Sequence, residues 1–180
     1  MTAVKIVFGA IACLAMMNPV FAAEPEFGIT AEFLSVCDGF SSAAQAAENF
    51  LKAEWSEEGK VFREALSPDD MLKKVKSVRA FKVELDNGGE WLAATAEGRM
   101  GKSKVAYCSI TAVDNDPDGY RQDFELATGL KSTDSISKKI ENRNVYAISD
   151  DKIYVMREVR TPENGFFTYV RLAPLSAKGK

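Results

Sequence analysis

The chain has no histidine among its 180 residues. That absence removes Ser-His and Cys-His catalytic pairs, imidazole general bases and histidine-ligated metal sites. Cysteine is scarce too, with three in all and no Cys-x-x-Cys spacing, so a thioredoxin-like redox pair is excluded. There is no G-x-S-x-G, no phosphate-cradling glycine loop and no G-x-G-x-x-G. No charge of one sign dominates: 23 basic side chains face 26 acidic ones. The electrostatic footprint of a nucleic-acid binder is missing, and nucleic acid is not an expected partner. Ser-x-x-Lys occurs at Ser135–Lys138 and Ser149–Lys152, the frequency that chance alone produces.

Hydrophobic residues make up 46% of the chain, enough for one packed domain and too many for a disordered segment. The first residues have their own pattern. Lys5 supplies a positive start, residues 6–17 form an apolar run, Asn18-Pro19 break it, and Val20-Phe21-Ala22 offers a small-x-small cleavage site. Residues 1–22 therefore read as a secretory signal. The apolar run is too short to span a bilayer, so no stable membrane insertion is expected after cleavage. The expected organisation is a signal over 1–22, a single domain over 23–176 and a flexible tail over 177–180, in a periplasmic or secreted protein. Lys5 is the only charge lost with the signal; 22 basic and 26 acidic side chains remain, a net charge of −4.

Cys13 leaves with the signal. The two remaining cysteines, Cys37 and Cys108, are expected to pair in an oxidising compartment, tying an N-terminal helix to a central strand.

Periodicity sets the fold class. Phe33, Val36, Cys37 and Phe40 recur at helical spacing. Ser42 followed by Gln45 makes a capping box, ahead of an alanine-rich stripe through Phe50. Ser67-Pro68-Asp69-Asp70 reads as another helix start, with Met71, Leu72 and Val75 on its buried face. The period then changes to two. Strands are expected over 78–85, 90–97 and 104–113, with a hairpin turn at Asp86-Asn87-Gly88-Gly89. Tyr120, Phe124 and Ala127 share a face of a helix closed by Gly129. Residues 131–141 read as loop. Strands over 145–148, 152–160 and 166–172 complete the pattern. The expectation is an α+β domain: an antiparallel sheet of about six strands in two three-stranded meanders. The N-terminal helices and one intervening helix pack on one face.

Three groups of residues carry chemistry. The first, Asp114-Asn115-Asp116-Pro117-Asp118-Gly119, has D-x-D-x-D-G spacing with Glu125 at the twelfth position. It resembles an EF-hand calcium loop, whose ligands would be Asp114, Asp116, Asp118, the Tyr120 carbonyl and Glu125. Arg121 stands where that family has an aliphatic residue, and the preceding segment reads as a strand. The other reading of the same residues is a capped helix start, with Pro117 in the first turn and the acids at the positive end of the dipole. Calcium is the only cofactor these residues suggest.

The second group is Tyr154, Phe167, Tyr169 and Arg171, in the last strands. Exposed, they would make a protein-binding patch; buried, they would be core. The third is a pair of carboxylates beside glycines, Asp38 and Glu97, the type a hydrolase uses as acid and base. The functional expectation is a small exported, non-enzymatic binding or accessory protein. Its partner would be an envelope protein or a cell-wall-derived ligand. A carboxylate-dependent hydrolase and a calcium-stabilised module are the alternatives.

Overall fold

A computed structural model describes residues 28–86, 88–113, 117–149, 152–160 and 165–175. The signal segment and the tail expected at 177–180 lie outside these residues. The chain opens with two helices, α1 (Gly28–Cys37) and α2 (Ala43–Lys52). Ser42 begins α2 as expected: its backbone is extended and its hydroxyl accepts the Gln45 N–H at 3.2 Å. The return bond comes from one residue earlier, the Ser41 N–H donating to Gln45 Oε1 at 2.9 Å. Together they satisfy donors that a helix start leaves open.

There follow β1 (Ser56–Glu58), α3 (Lys60–Ala65), β2 (Lys73–Glu84), β3 (Glu90–Met100) and β4 (Ser103–Val113). After α4 (Pro117–Thr128) come β5 (Asp134–Ser137), β6 (Glu141–Ser149), β7 (Lys152–Arg160) and β8 (Gly165–Pro174). The strands form one antiparallel sheet in the order β1-β2-β3-β4-β8-β7-β6-β5. The α+β class and the helix-covered antiparallel sheet are as expected. The strand number is eight among the described residues rather than about six, and each meander has four strands. The two additions, β1 and β5, are three and four residues long and solvent-exposed at their backbone edges, so neither has an apolar alternation to announce it.

A second departure falls at Ser67-Pro68-Asp69-Asp70, where no helix begins. The Pro68 carbonyl accepts from the N–H groups of Met71 (2.9 Å) and Leu72 (2.8 Å), closing a single turn. The Ser67 hydroxyl binds Asp69 rather than a helix N–H. The lysines that follow belong to β2, which slips register against β3 twice, between Lys73 and Lys76 and between Lys76 and Arg79. Lys74 and Ser77 take φ of 55° at these bulges. Each bulge adds twist and bends the strand, carrying its start and the preceding turn over the sheet. Leu72, almost fully buried, lands on β3 at Gly98. A Cβ at Gly98 would sit 3.0 Å from Leu72 Cβ and 3.3 Å from the Lys73 carbonyl, so only glycine fits beneath this strap.

The sheet has two apolar faces. On one, α1, α2 and α4 cover an aromatic core. Phe50 stacks on Phe81 with ring centres 4.9 Å apart, and Phe124 meets Tyr146 edge-on at 5.1 Å. Phe33 stacks on Tyr169 at 5.1 Å. On the other face, Ala94, Ala96, Val105, Tyr107, Val155, Val170 and Leu172 are buried. The strap bearing Leu66, Met71 and Leu72 closes over them. Cys37, the last residue of α1, is disulfide-bonded to Cys108 in the middle of β4, with Cα atoms 5.7 Å apart. The bond joins the helix layer to the centre of the sheet.

Candidate functional site

The residues singled out from the sequence fall in different places. Asp114 and Asp116 lie outside the described residues. Asp118 and Tyr120 lie near the start of α4. The Tyr120 carbonyl accepts the Tyr169 hydroxyl at 2.9 Å, and the Tyr120 ring stacks on Phe167 at 5.0 Å. Glu125, two turns along the helix, accepts the Tyr146 hydroxyl at 2.9 Å. Burial and this carboxylate both raise the Tyr146 phenol above its ordinary range. Tyr120 and Glu125 thus have protein partners from β8 and β6.

Tyr154, Phe167, Tyr169 and Arg171 do not form an exposed patch. All four are buried, none more than 6% accessible, because α1 and α4 cover their face of the sheet. Tyr169 bonds Thr30 of α1 at 2.7 Å. Arg171 pins the end of α1: its Nη1 donates to the carbonyls of Cys37 (2.9 Å) and Phe40 (3.4 Å), and its guanidinium lies over the Phe40 ring at 4.7 Å. These contacts satisfy carbonyls that a helix end leaves open.

Asp38 follows directly. One of its oxygens, Oδ1, is 2.7 Å from Lys152 Nζ, 2.8 Å from the Tyr154 hydroxyl and 3.7 Å from Arg171 Nε. Partial burial pushes this carboxyl up, but the bonds from Lys152 and Tyr154 and the charges of Lys152 and Arg171 outweigh it. The net pKa lies below the ordinary value. The same ion pair raises Lys152, and burial raises Tyr154. Asp38 is thus held as the carboxylate, and Lys152 and Tyr154 in their protonated forms. The adjoining cavity, about 260 Å³, is lined by Leu34, Asp38, Thr128, Lys152 and Tyr154. Glu97 lies on β3 and pairs with Lys76 at 3.4 Å. Each carboxylate is engaged by its own cation rather than by the other.

A second ionic cluster ties down the strap. Asp70 meets Arg143 of β6 (3.3 Å) and Arg157 of β7 (2.9 Å). Glu141 bonds Arg157 at 2.8 Å and also Arg143. Partial burial raises Glu141, and the two guanidinium groups hold it below the ordinary value on balance.

A further polar surface lies elsewhere on the helix-covered face. Strand pairing aligns residues in rows across the sheet. One row runs Phe167, Glu158, Asn142, Ser137 from β8 to β5; the next runs Tyr169, Met156, Asn144, Ser135. Each row starts in the aromatic core and ends in amides and hydroxyls, on the same face. The α4 helix covers the apolar ends, and the polar ends form a trough beside it. A cavity of about 200 Å³ opens there, with Arg121 of α4 and Arg143 of β6 also in its lining. Ser137 Oγ donates to Asn142 Oδ1 at 2.7 Å, which leaves the Asn142 NH₂ as that amide's donor side. Glu158 is largely buried and bonded to Arg160.

The chain matches no family model, and no curated protein or solved structure is similar to it. Ser135 belongs to one of the two chance-level Ser-x-x-Lys matches; Ser137, Asn142, Asn144 and Glu158 carry no catalytic motif, and sequence reasoning passes over them. One signal was present: Asn142 and Asn144 alternate in phase with the buried Tyr146, placing polar side chains where a core face should continue.

Proposed function

We propose that this is a small exported, non-enzymatic binding protein, periplasmic or secreted, that contacts an envelope protein or a cell-wall-derived ligand through the trough beside α4. The observation that carries this reading is the change from apolar to polar along the two rows from β8 to β5. This face keeps a concave set of amides and hydroxyls next to a rigid aromatic core, the arrangement of polar groups fixed on a scaffold that small-ligand sites use. The titratable clusters around Asp38 and Asp70 are internally neutralised and supply structure instead. Export is supported by the signal-like start of the sequence and by the buried disulfide. Among the described residues no helix is long and apolar enough to cross a membrane.

The test compares the protein with an Asn142→Ala/Asn144→Ala variant in capture from an envelope extract, alongside N-terminal mass spectrometry of protein recovered from its native compartment. We expect an N-terminus at residue 23 and a captured species lost with the variant. An intact Met1 with two free thiols, or capture unaffected by the variant, overturns the reading.

A further inference from the structure

We infer that the trough takes a single neutral glycosyl unit, held by the amides of Asn142 and Asn144 and the hydroxyls of Ser135 and Ser137. This rests on the trough being the contact surface. Its volume, about 200 Å³, lies below the roughly 300–1,000 Å³ of clefts that enclose drug-sized ligands, so it holds one ring rather than a chain.

The chemistry of the wall is that of hydroxyl recognition. A sugar hydroxyl donates one hydrogen bond and accepts others. A primary amide and a serine hydroxyl do the same, so either can meet it in either sense. Asn142 and Asn144 stand two residues apart on one face of β6, a separation of about 6.6 Å along the strand. One pyranose ring with its equatorial hydroxyls bridges that span. Asn142 is held in one amide orientation by Ser137, a preorganised donor rather than a floppy one. The carboxylate of Glu158 accepts only, and its four lone-pair sites exceed what Arg160 uses. Met156 and Phe167, both nearly buried, and the more exposed Ile136 supply the apolar part of the lining. Charge argues for neutrality. Of the charged residues that line the cavity, Arg121, Arg143 and Glu158, Glu158 is paired with Arg160 and Arg143 with Glu141 and Asp70, so these paired charges offer little to an ionic ligand.

The experiment is an amide-resolved NMR titration of the mature, oxidised protein with methyl glucoside, N-acetylglucosamine, glucuronate and trialanine. The two neutral sugars are expected to shift the Ser135, Ser137, Asn142 and Asn144 amides with a Kd of about 1 mM. That is the scale for a dozen or so heavy atoms at ordinary ligand efficiency. Glucuronate should bind several-fold more weakly. Asn144→Ala, at a half-exposed position, should weaken binding roughly five- to tenfold while leaving the rest of the spectrum in place. Trough amides that shift with trialanine or with an envelope protein fraction, but not with sugars, overturn the glycosyl assignment and leave the binding reading standing. Trough amides that respond to none of these, together with partner capture indifferent to the trough variant, overturn both.

Discussion

Opening the Cys37–Cys108 bond should cost this protein a large part of its stability, by an amount its topology sets. The bond closes a loop of 71 residues. In the chain-entropy account such a loop is worth about 4 kcal/mol at 25 °C, within a usual range of roughly 2–5 kcal/mol. Replacing both cysteines with alanine also removes two sulfurs from fully buried positions. That adds about 1 kcal/mol for each lost group of methylene size. Domains of this size have total stabilities of about 5–15 kcal/mol, so the double variant should remain folded but only narrowly. Summed, the cost is about 6 kcal/mol, and its melting point should fall by roughly 12–24 °C, at about 2–4 °C per kcal/mol for a chain of this length. The assay is urea unfolding followed by tryptophan fluorescence. Trp55 is buried and packs edge-on against Phe50 at 5.0 Å, so it reports the α2–sheet contact directly. The urea dependence should also steepen, because an unfolded chain without the cross-link exposes more surface. A shift under about 1 kcal/mol with an unchanged slope, in oxidised protein against protein treated with reductant, refutes the reasoning. The end of α1 would then be held by packing and by Arg171 alone.

Phe124→Ala should cost about 3–5 kcal/mol by urea unfolding, since this ring meets Phe33, Tyr146, Tyr154 and Tyr169 within 6.4 Å; a loss under about 1 kcal/mol would mean α4 is not docked as described. Gly98→Ala should destabilise by about 1–3 kcal/mol because the Leu72 strap must lift, measurable as a lowered melting point. Burial holds the Tyr107 phenol up to about 12, and Tyr146, Tyr154 and Tyr169 are raised as well. Folding therefore favours the protonated phenols: stability is untouched below about pH 10, the unfolded value, and falls as pH rises above it. Tyrosinate absorbance should lag behind that of free tyrosine and then rise together with unfolding. Millimolar calcium should raise the melting point if the Asp114–Glu125 segment holds an ion, and an unmoved midpoint assigns it to helix capping.

What the sequence reveals and conceals follows from the range of each interaction. The α2 start, the 86–89 hairpin and the Gly129 helix end are local: Ser42 and Gln45, or the glycine with φ of 68°, act within a few residues. The α1–β4 link was legible because two cysteines admit one pairing. The Ser67-Pro68-Asp69-Asp70 signal also acts locally, closing its turn, but burial of Leu72 against Gly98 and pairing with β3 override any continuation. Tyr154, Phe167, Tyr169 and Arg171 lie on two strands whose aromatic faces suit a core or a patch equally; only the position of α1 and α4 decides. The trough residues were hidden for a related reason. Ser135, Asn144 and Met156 become neighbours through pairing of three strands, and no spacing along the chain records it.

The strand order has a consequence for how the molecule is put together. The last strand among the described residues, β8, occupies an interior position, between β4 and β7. Until it is in place, the chain is two separate hairpin stacks, each with a bare edge of N–H and C=O groups that invites the wrong neighbour. Seam closure joins residues as far apart as Val105 and Pro174, a long-range and therefore slow event. A ribosome holding back the segment from Gly165 onward thus keeps the whole sheet from closing, and a protease that clips that segment removes a central strand of the sheet.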